Sequence, residues 1–425
     1  MRNSRENGKK SIFRAIFVPL FVIMIFQSVI FYVAAVYGGI EETMNQNAAD
    51  ILTERLLNRK NDIEALFNKT WTNLDNCEKE VDVLYDEYSR RYGEKPFTRE
   101  NDTQVEFLKD ISQVLVDTLR KNEVNGVYLI LNDQKEKTVF TEYSEEEKIG
   151  LCIRDLDQSS NYMDTEDLVV ERSPSAVIEE LGCSLDSWWE ARYTFTSEDD
   201  GAFYYYPLSA AWENADVDSD DLAYLQGAHK ISGSDQEVIS YSIPLMDENG
   251  YPYGVLGIEL TTTYLSSLMP NKELNESNKS CYILAIKDLE TGMAASIASS
   301  GSFFDHCFGS YSEFCCTETT STGGFTVSGR ENTLFYGDSA ELNIYNNNNP
   351  FEDQQLTLIA LVERDTLFYY SRHIKQTLAL VSLFSLLIGL MGMLAVSRRF
   401  SHPITALAKK VHSLPPQDGF QLDRL

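Results

Sequence analysis

Val238-Ile239-Ser240-Tyr241-Ser242-Ile243-Pro244-Leu245-Met246-Asp247-Glu248-Asn249-Gly250-Tyr251-Pro252-Tyr253-Gly254-Val255-Leu256-Gly257-Ile258-Glu259-Leu260 is the stretch on which the reading of this 425-residue chain turns. β-Branched and aromatic residues alternate with small and polar ones on both sides of a polar, Gly-bearing turn. The pattern predicts two antiparallel strands, Val238–Leu245 and Tyr253–Leu260, joined at Asp247–Gly250. An acid, Glu259, stands at the end of the second strand.

Upstream, the alternation predicts strands at Val127–Leu131 and Thr138–Thr141 about a turn at Asn132–Gln134, a helical stretch at Ser175–Glu190 and a strand at Phe203–Tyr206. Downstream, a short helix at Thr262–Met269 meets Pro270 and a linker rich in Asn, Glu, Ser and Lys. A second alternation then runs through Ser280–Ala285, Phe325–Val327, Thr333–Tyr336 and Leu356–Val362, with a loop at Asn346–Pro350. From Glu41 to Arg91 Gly and Pro are almost absent and apolar residues recur at helical spacing, among them Leu52, Leu56, Ile63, Trp71, Val81 and Tyr88. One helix of about 75 Å would result, a spine for later elements or a dimer interface.

Two apolar runs, 15–38 and 377–396, bracket these elements, and each is long enough to cross a bilayer core of about 30 Å. Arg2, Arg5, Lys9, Lys10 and Arg14 precede the first, and Arg398, Arg399, Lys409 and Lys410 follow the second. The positive-inside rule therefore places both termini in the cytoplasm and residues 39–376 outside, as a two-span protein of the cell membrane. The first run is too long for a signal peptide and lacks a small-x-small cleavage site, so it reads as an anchor.

The net charge is −29, and because both terminal stretches are basic the outer part is more acidic still. Such a surface repels nucleic acid, which is excluded as a partner. With 23 Tyr and 22 Phe the outer part has the means to build cores, and its length suits two small domains. All seven cysteines, Cys77, Cys152, Cys183, Cys281, Cys307, Cys315 and Cys316, lie outside, where disulfides persist, and the odd number leaves at least one thiol. His306, Cys307, Cys315 and Cys316 lack the spacer that brings two thiolates to one zinc ion; a local disulfide or buried thiols fit better. Asp216, Asp218, Asp220 and Asp221 lack the Gly and Glu of a calcium loop and read as a solvated acidic loop. No metal, cofactor or catalytic constellation is expected, and a membrane-held hydrolase is disfavoured.

The order of elements, with the hairpin above, resembles the double Cache sensors of bacterial transmembrane receptors. The second strand is similar to that family's G-V-x-G-x-D signature, with Glu259 where Asp is usual. Asp186-Ser187-Trp188-Trp189-Glu190-Ala191 is similar to its R-x-W-Y element, with Asp186 and Trp189 at the Arg and Tyr positions. His402-Pro403-Ile404-Thr405-Ala406-Leu407 resembles the start of a HAMP linker. The resemblance implies an α+β fold: a long N-terminal helix (about 41–91) supporting two tandem PAS-like antiparallel-sheet domains, membrane-distal (about 92–270) and membrane-proximal (about 280–364). These lie between a cytoplasmic 1–14, the spans 15–38 and 377–396, and a partial HAMP linker at 397–425.

It also implies a ligand pocket in the distal domain, where the family's Arg binds a carboxylate and its Asp an ammonium group. Loss of the Arg removes a bidentate clamp, so Asp186 and Glu259 predict a net-negative pocket for a cationic or neutral, hydroxyl-rich molecule. Arg192 is the cation near the Asp186–Ala191 element that would substitute for that Arg. Trp188, Trp189, Tyr204, Tyr206, Trp212 and Tyr241 are expected as walls or core, with Tyr204 and Tyr206 on one face of their strand. The expected function is a homodimeric, non-enzymatic receptor that signals to a cytoplasmic kinase, cyclase or chemoreceptor output. An adhesion or protein-binding module is the alternative.

Overall fold

The computed structural model describes residues 12–98, 102–134, 146–156, 167–230, 236–275, 278–288, 291–300, 302–309, 313–315, 322–346 and 348–412. In chain order these form α1 (Ile12–Tyr37), α2 (Ile40–Leu66), α3 (Asp75–Tyr92), α4 (Asp102–Lys121), β1 (Gly126–Leu131), β2 (Glu146–Lys148), β3 (Gly150–Asp155), β4 (Leu168–Arg172), α5 (Ser175–Leu181), β5 (Ser184–Glu190), β6 (Tyr193–Phe195), α6 (Ala202–Glu213), β7 (Tyr224–His229), β8 (Val238–Met246), β9 (Pro252–Thr261) and α7 (Thr262–Ser267). There follow β10 (Ser280–Asp288), β11 (Met293–Ser299), α8 (Ser302–Cys307), β12 (Glu313–Cys315), β13 (Phe325–Ser328), β14 (Leu334–Glu341), β15 (Gln354–Glu363), α9 (Arg364–Leu367) and α10 (Tyr369–His412).

The chain divides into two units, Met1–Ala48 with Phe368–Leu425, and Ala49–Leu367. In the first, α1 packs on α10, and Gly389 makes room for Met24, whose sulfur would lie 2.4 Å from a Cβ at that position. Both helices carry stretches long and apolar enough to cross a membrane, Phe17–Ala34 and Tyr369–Arg399. α10 continues without a break through Pro403, so the segment resembling a HAMP start is helical as far as His412.

The expected single helix over 41–91 is interrupted. α2 stops at Leu66, one π turn spans Phe67–Trp71, and α3 begins at Asp75. The break buries two rings: Phe67 lies edge-on to Tyr241 and Trp71 edge-on to Tyr264. The freed backbone is satisfied by Asn122, whose amide donates to Trp71 O at 3.1 Å and to Asn73 O at 3.0 Å.

The second unit holds two sheets. The first has strand order β5-β4-β3-β1-β9-β8-β7, antiparallel except for β4–β5. The second has order β12-β11-β10-β15-β14-β13, antiparallel throughout. This is the α+β class expected. The hairpin of the opening stretch forms as β8 and β9, with Asp247 Oδ1 accepting from Asn249 N and Tyr251 N, both at 2.9 Å, and Gly250 at φ +73°.

Two expectations are corrected. Phe203–Tyr206 is not a strand but the first turns of α6: its aromatics look strand-like, yet Ala202, Leu208, Ala210 and Ala211 favour helix. Pro207 has no N–H for the Phe203 carbonyl, and Ser242 Oγ donates to that oxygen instead, at 2.7 Å. Ser175–Glu190 is not one helix. α5 ends at Gly182, which adopts a left-handed φ of +63°, and 184–190 becomes the parallel edge strand β5. The strand expected at Thr138–Thr141 lies outside the described residues.

Candidate functional site

The site lies on the face of the first sheet that meets α6, where Tyr128 of β1 packs with Phe203, Tyr204 and Leu208. Antiparallel register sets Gly126 beside both Arg154 and Glu259, and Tyr128 beside both Cys152 and Gly257. Glycine makes the arrangement possible. A Cβ at Gly126 would come within 2.8 Å of Glu259 Oε2, at Gly257 within 2.3 Å of the Tyr128 hydroxyl, and at Gly150 within 2.8 Å of the Tyr193 ring. Large polar side chains therefore lie flat across the strands.

Four charged groups are sealed there: Glu171 and Glu259 have no exposed surface, and Arg154 and Arg172 retain 2% and 1%. Arg154 Nε donates to Glu259 Oε2 at 2.8 Å, and its Nη2 stands 3.0 Å from Glu171 Oε2. Burial alone pulls the Arg154 guanidinium down, but Glu259, Cys152 and Glu171 around it outweigh that and its pKa rises. Arg172 Nη1 donates to the carbonyls of Glu171 and Trp188, each at 3.0 Å. Two carboxylates thus meet two guanidiniums, so the chamber is charge-balanced.

Burial, then the neighbouring carboxylates, raises the Cys152 thiol well above its ordinary value, so it stays protonated. Burial likewise raises the phenols of Tyr128 and Tyr193. His229 is lowered by burial, against the opposing pull of the Gly227 carbonyl and Glu259, and is neutral. Its Nδ1 donates to Gly227 O at 2.8 Å, which leaves Nε2 to accept from Ser240 Oγ at 3.3 Å.

The ligand atoms of Cys152, Glu171 and Glu259 lie within 4.8 Å of one another, a spacing that suits a metal. The Arg154 guanidinium already bonds both carboxylates, and the thiol carries its proton, so the resident cation is the arginine. Four buried oxygens of this cluster, the hydroxyls of Tyr128, Tyr193 and Tyr204 and Glu259 Oε1, make no close hydrogen bond among the described residues, although Ser242 and Ser240 stand near the first and Cys152 near the second. Buried polar atoms in folded proteins nearly always make one.

Of the residues singled out in the sequence, Glu259 lies in this chamber and Tyr204 packs in the cluster beside it. Asp186 sits on edge strand β5, where its Oδ1 accepts from Trp188 N at 2.8 Å; the expected Asp186–Glu259 acid pair is replaced by Arg154, Glu171 and Glu259. Trp188 is 48% exposed, and Trp189 Nε1 donates to Ser173 O at 3.2 Å. Arg192 faces Glu147 at 3.7 Å. Tyr204 is buried and stacks on Phe195 at 5.6 Å, whereas Tyr206 stacks on Phe351 and meets Tyr224 edge-on. They occupy different faces, because two residues along a helix turn about 200°. Trp212 is half-buried against Tyr251, and Tyr241 points through the opposite face of the sheet to Phe67.

Arg154, Glu171, Arg172, Tyr128, Tyr193 and Cys152 were missed. A period-two reading of Gly150-Leu151-Cys152-Ile153-Arg154 aligns Gly150, Cys152 and Arg154 on one face, and Glu171-Arg172 closes the apolar run Leu168-Val169-Val170. Both signals were available in the sequence. Elsewhere, Ser219–Leu222 of the acidic loop forms a 3-10 turn against Glu78 of α3, whose carboxyl is pushed up to about 7 by burial, with Asp82, Asp220 and Asp218 adding to it. Cys307 lies in the core of the second sheet, while the side chains of Cys315 and Cys316, on which the local disulfide rests, fall outside the described residues.

No protein-family model and no curated protein matches the chain. Among solved structures it is similar to the periplasmic sensory domain of the Campylobacter jejuni chemoreceptor Tlp1, with TM-score 0.40 and 11% identity over 76% of this chain and 98% of that one. It is also similar to the ligand-binding domain of the C. jejuni chemoreceptor Tlp3 in complex with L-valine, with TM-score 0.36 and 10% identity over 77% and 97%. The ligand-binding domain of the Pseudomonas aeruginosa PAO1 amino acid chemoreceptor PctC in complex with GABA gives TM-score 0.34 and 9% identity over 74% and 99%.

Proposed function

We propose that this chain is the sensor part of a transmembrane receptor, which binds a small, uncharged polar molecule in the chamber of its first sheet and signals inward through α10. The observation that carries the reading is the set of buried oxygens that make no close hydrogen bond, Tyr128 OH, Tyr193 OH, Tyr204 OH and Glu259 Oε1, three of them on side chains that Gly126, Gly150 and Gly257 leave room for. A guest bearing hydroxyl or amide groups would give and accept the hydrogen bonds these atoms lack. Arg154 already neutralises the carboxylates, so a net charge on the guest would stand unbalanced. Basic residues at both ends and two apolar helices support a two-span layout with the sensing unit outside. Binding does signalling work only through a difference in affinity between arrangements of the unit.

The test is a thermal-shift screen of the full chain in detergent against polyols, sugars, amides, amines, amino acids and carboxylates. A neutral polar compound is expected to raise the melting temperature with concentration, reaching about 2.7 kcal/mol of stabilisation at a hundredfold excess over Kd. Tyr193→Phe and Glu259→Gln should weaken that response, and Trp188→Ala should leave it. A screen without hits overturns the reading, as does a hit abolished by Trp188→Ala but indifferent to the other two.

A further inference from the structure

The connection between Glu341 of β14 and Gln354 of β15 joins neighbouring antiparallel strands, for which a two-residue turn suffices. It runs instead to the first sheet. The order of that sheet ends at β7, an edge whose outward N–H and C=O groups need partners. Tyr345 OH accepts from Leu225 N at 3.0 Å, and Asn349 Nδ2 donates to Ala223 O at 2.8 Å. Asn349 is 2% exposed, and its Oδ1 accepts from Phe351 N at 2.8 Å. Phe351 then stacks on Tyr206 of α6 and meets Tyr224 of β7 at a centroid distance of 4.8 Å.

The same two elements build the chamber wall. Gln226 of β7 accepts from Phe203 N at 2.7 Å and donates to Asp199 O at 2.8 Å, clamping the start of α6. Phe203 packs edge-on to Tyr128 at 5.2 Å and stacks on His229 at 5.4 Å, and its carbonyl is held by Ser242. One turn of α6 therefore carries Phe203 against the chamber and Tyr206 against Phe351. Interiors are close-packed and transmit displacement, so a shift at one ring is felt at the other.

We propose that the β14–β15 connection couples the chamber to the second sheet: a change in the chamber moves Phe203, α6 and β7, and Tyr345, Asn349 and Phe351 pass it to β15. From there the chain continues through α9 into α10. The proposal rests on the chamber being the sensing site. Coupling between sites is reciprocal, so disturbing the connection must also loosen the chamber.

Hydrogen exchange of the full chain in detergent, without any added compound, tests this. Phe351→Ala, and the milder Phe351→Leu, are expected to speed amide exchange at 203–206, 224–229 and 238–242 about fivefold or more. Tyr128→Ala, which removes the ring that meets Phe203, should speed exchange at 348–361. Val327→Ala, a comparable loss in the second-sheet core, should leave the chamber amides unchanged. The proposal is overturned if both Phe351 variants leave those amides within about twofold of the parent, or if Val327→Ala disturbs them equally. Should Phe351→Ala fail to fold, Phe351→Leu decides. A ligand hit without exchange coupling removes the relay and keeps the sensing site; coupling with no hit removes the sensing role and with it this proposal.

Discussion

The two sheets share a frame and differ in what fills it. β9 and β15 are both ten-residue strands followed directly by a short helix, each paired with the strand that opens its sheet, β1 or β10. Glu259 in β9 and Leu361 in β15 hold the same place, third from the end. Across from them stand Gly126 and Cys281. The next inward-facing pair is Gly257 and Tyr128 in the first sheet, Ile359 and Ile283 in the second. Leu361, Ile359, Ile283 and Cys281 join Phe304, Phe325 and Phe335 in one apolar core, whereas the first sheet closes over Arg154, Glu171, Arg172 and Glu259. Apolar filling stabilises by area removed from water. A buried charge network adds little net stability but holds polar groups ready for a guest. The first sheet keeps polar groups at its centre, and the second is apolar there.

The largest expected effect comes from moving one position between them. Leu361→Glu places a carboxylate in a core with no counter-charge, and we expect a loss of about 4–5 kcal/mol or outright unfolding, read by urea denaturation of the full chain. A loss below about 1 kcal/mol would mean the second core is polar or open enough to hydrate an acid, and the contrast between the sheets would fail.

Arg154→Met is next. It strands Glu171 and Glu259 without their cation, and a loss of about 3–5 kcal/mol is expected. The triple variant Arg154→Met, Glu171→Met, Glu259→Leu should recover most of it, because apolar packing replaces the whole network, yet should bind nothing in the screen. If the single variant is as stable as the parent, the network is hydrated and the chamber is not a sealed site.

The smallest effect concerns acidity beside the first sheet. Glu78 of α3 has a folded pKa raised from 4.5 to about 7, by burial and then by Asp82, Asp220 and Asp218, with Ser219 opposing through a hydrogen bond. Asp82 donates nothing but accepts from Tyr253 OH, and it and Asp220 are raised as well. A carboxyl raised on folding binds its proton more tightly in the native state. Its contribution is therefore greatest below the unfolded pKa of 4.5 and declines as pH rises towards about 7. Glu78→Gln should flatten that part of the stability-against-pH curve measured by thermal denaturation. An unchanged slope would assign the pH dependence to the aspartates.

The hairpin Val238–Leu260 was legible because alternation, an Asn-Gly turn and strand residues all agree at short range. The acidic end of its second strand was legible too, and Glu259 is buried there against Arg154. Its partner was not. Arg154 lies 105 residues away in a strand whose apolar and polar residues alternate without any turn signal like that of the hairpin, and only the order β4-β3-β1-β9 brings the two together. Asp186 and Trp188 lie elsewhere: the short motif that singled them out falls on the edge strand β5, where Trp188 is exposed.

Composition and periodicity alone determined the two apolar spans, the basic ends, the acidic surface and the mixture of helix and antiparallel strand, since each depends on neighbours a few residues apart. Tertiary structure decided where the long helix breaks, that Phe203–Tyr206 turns helical, and which charges meet under α6. Those outcomes depend on burial and on register between distant strands. A shift of one residue in β9 would turn Glu259 from Arg154 to the opposite face of the sheet.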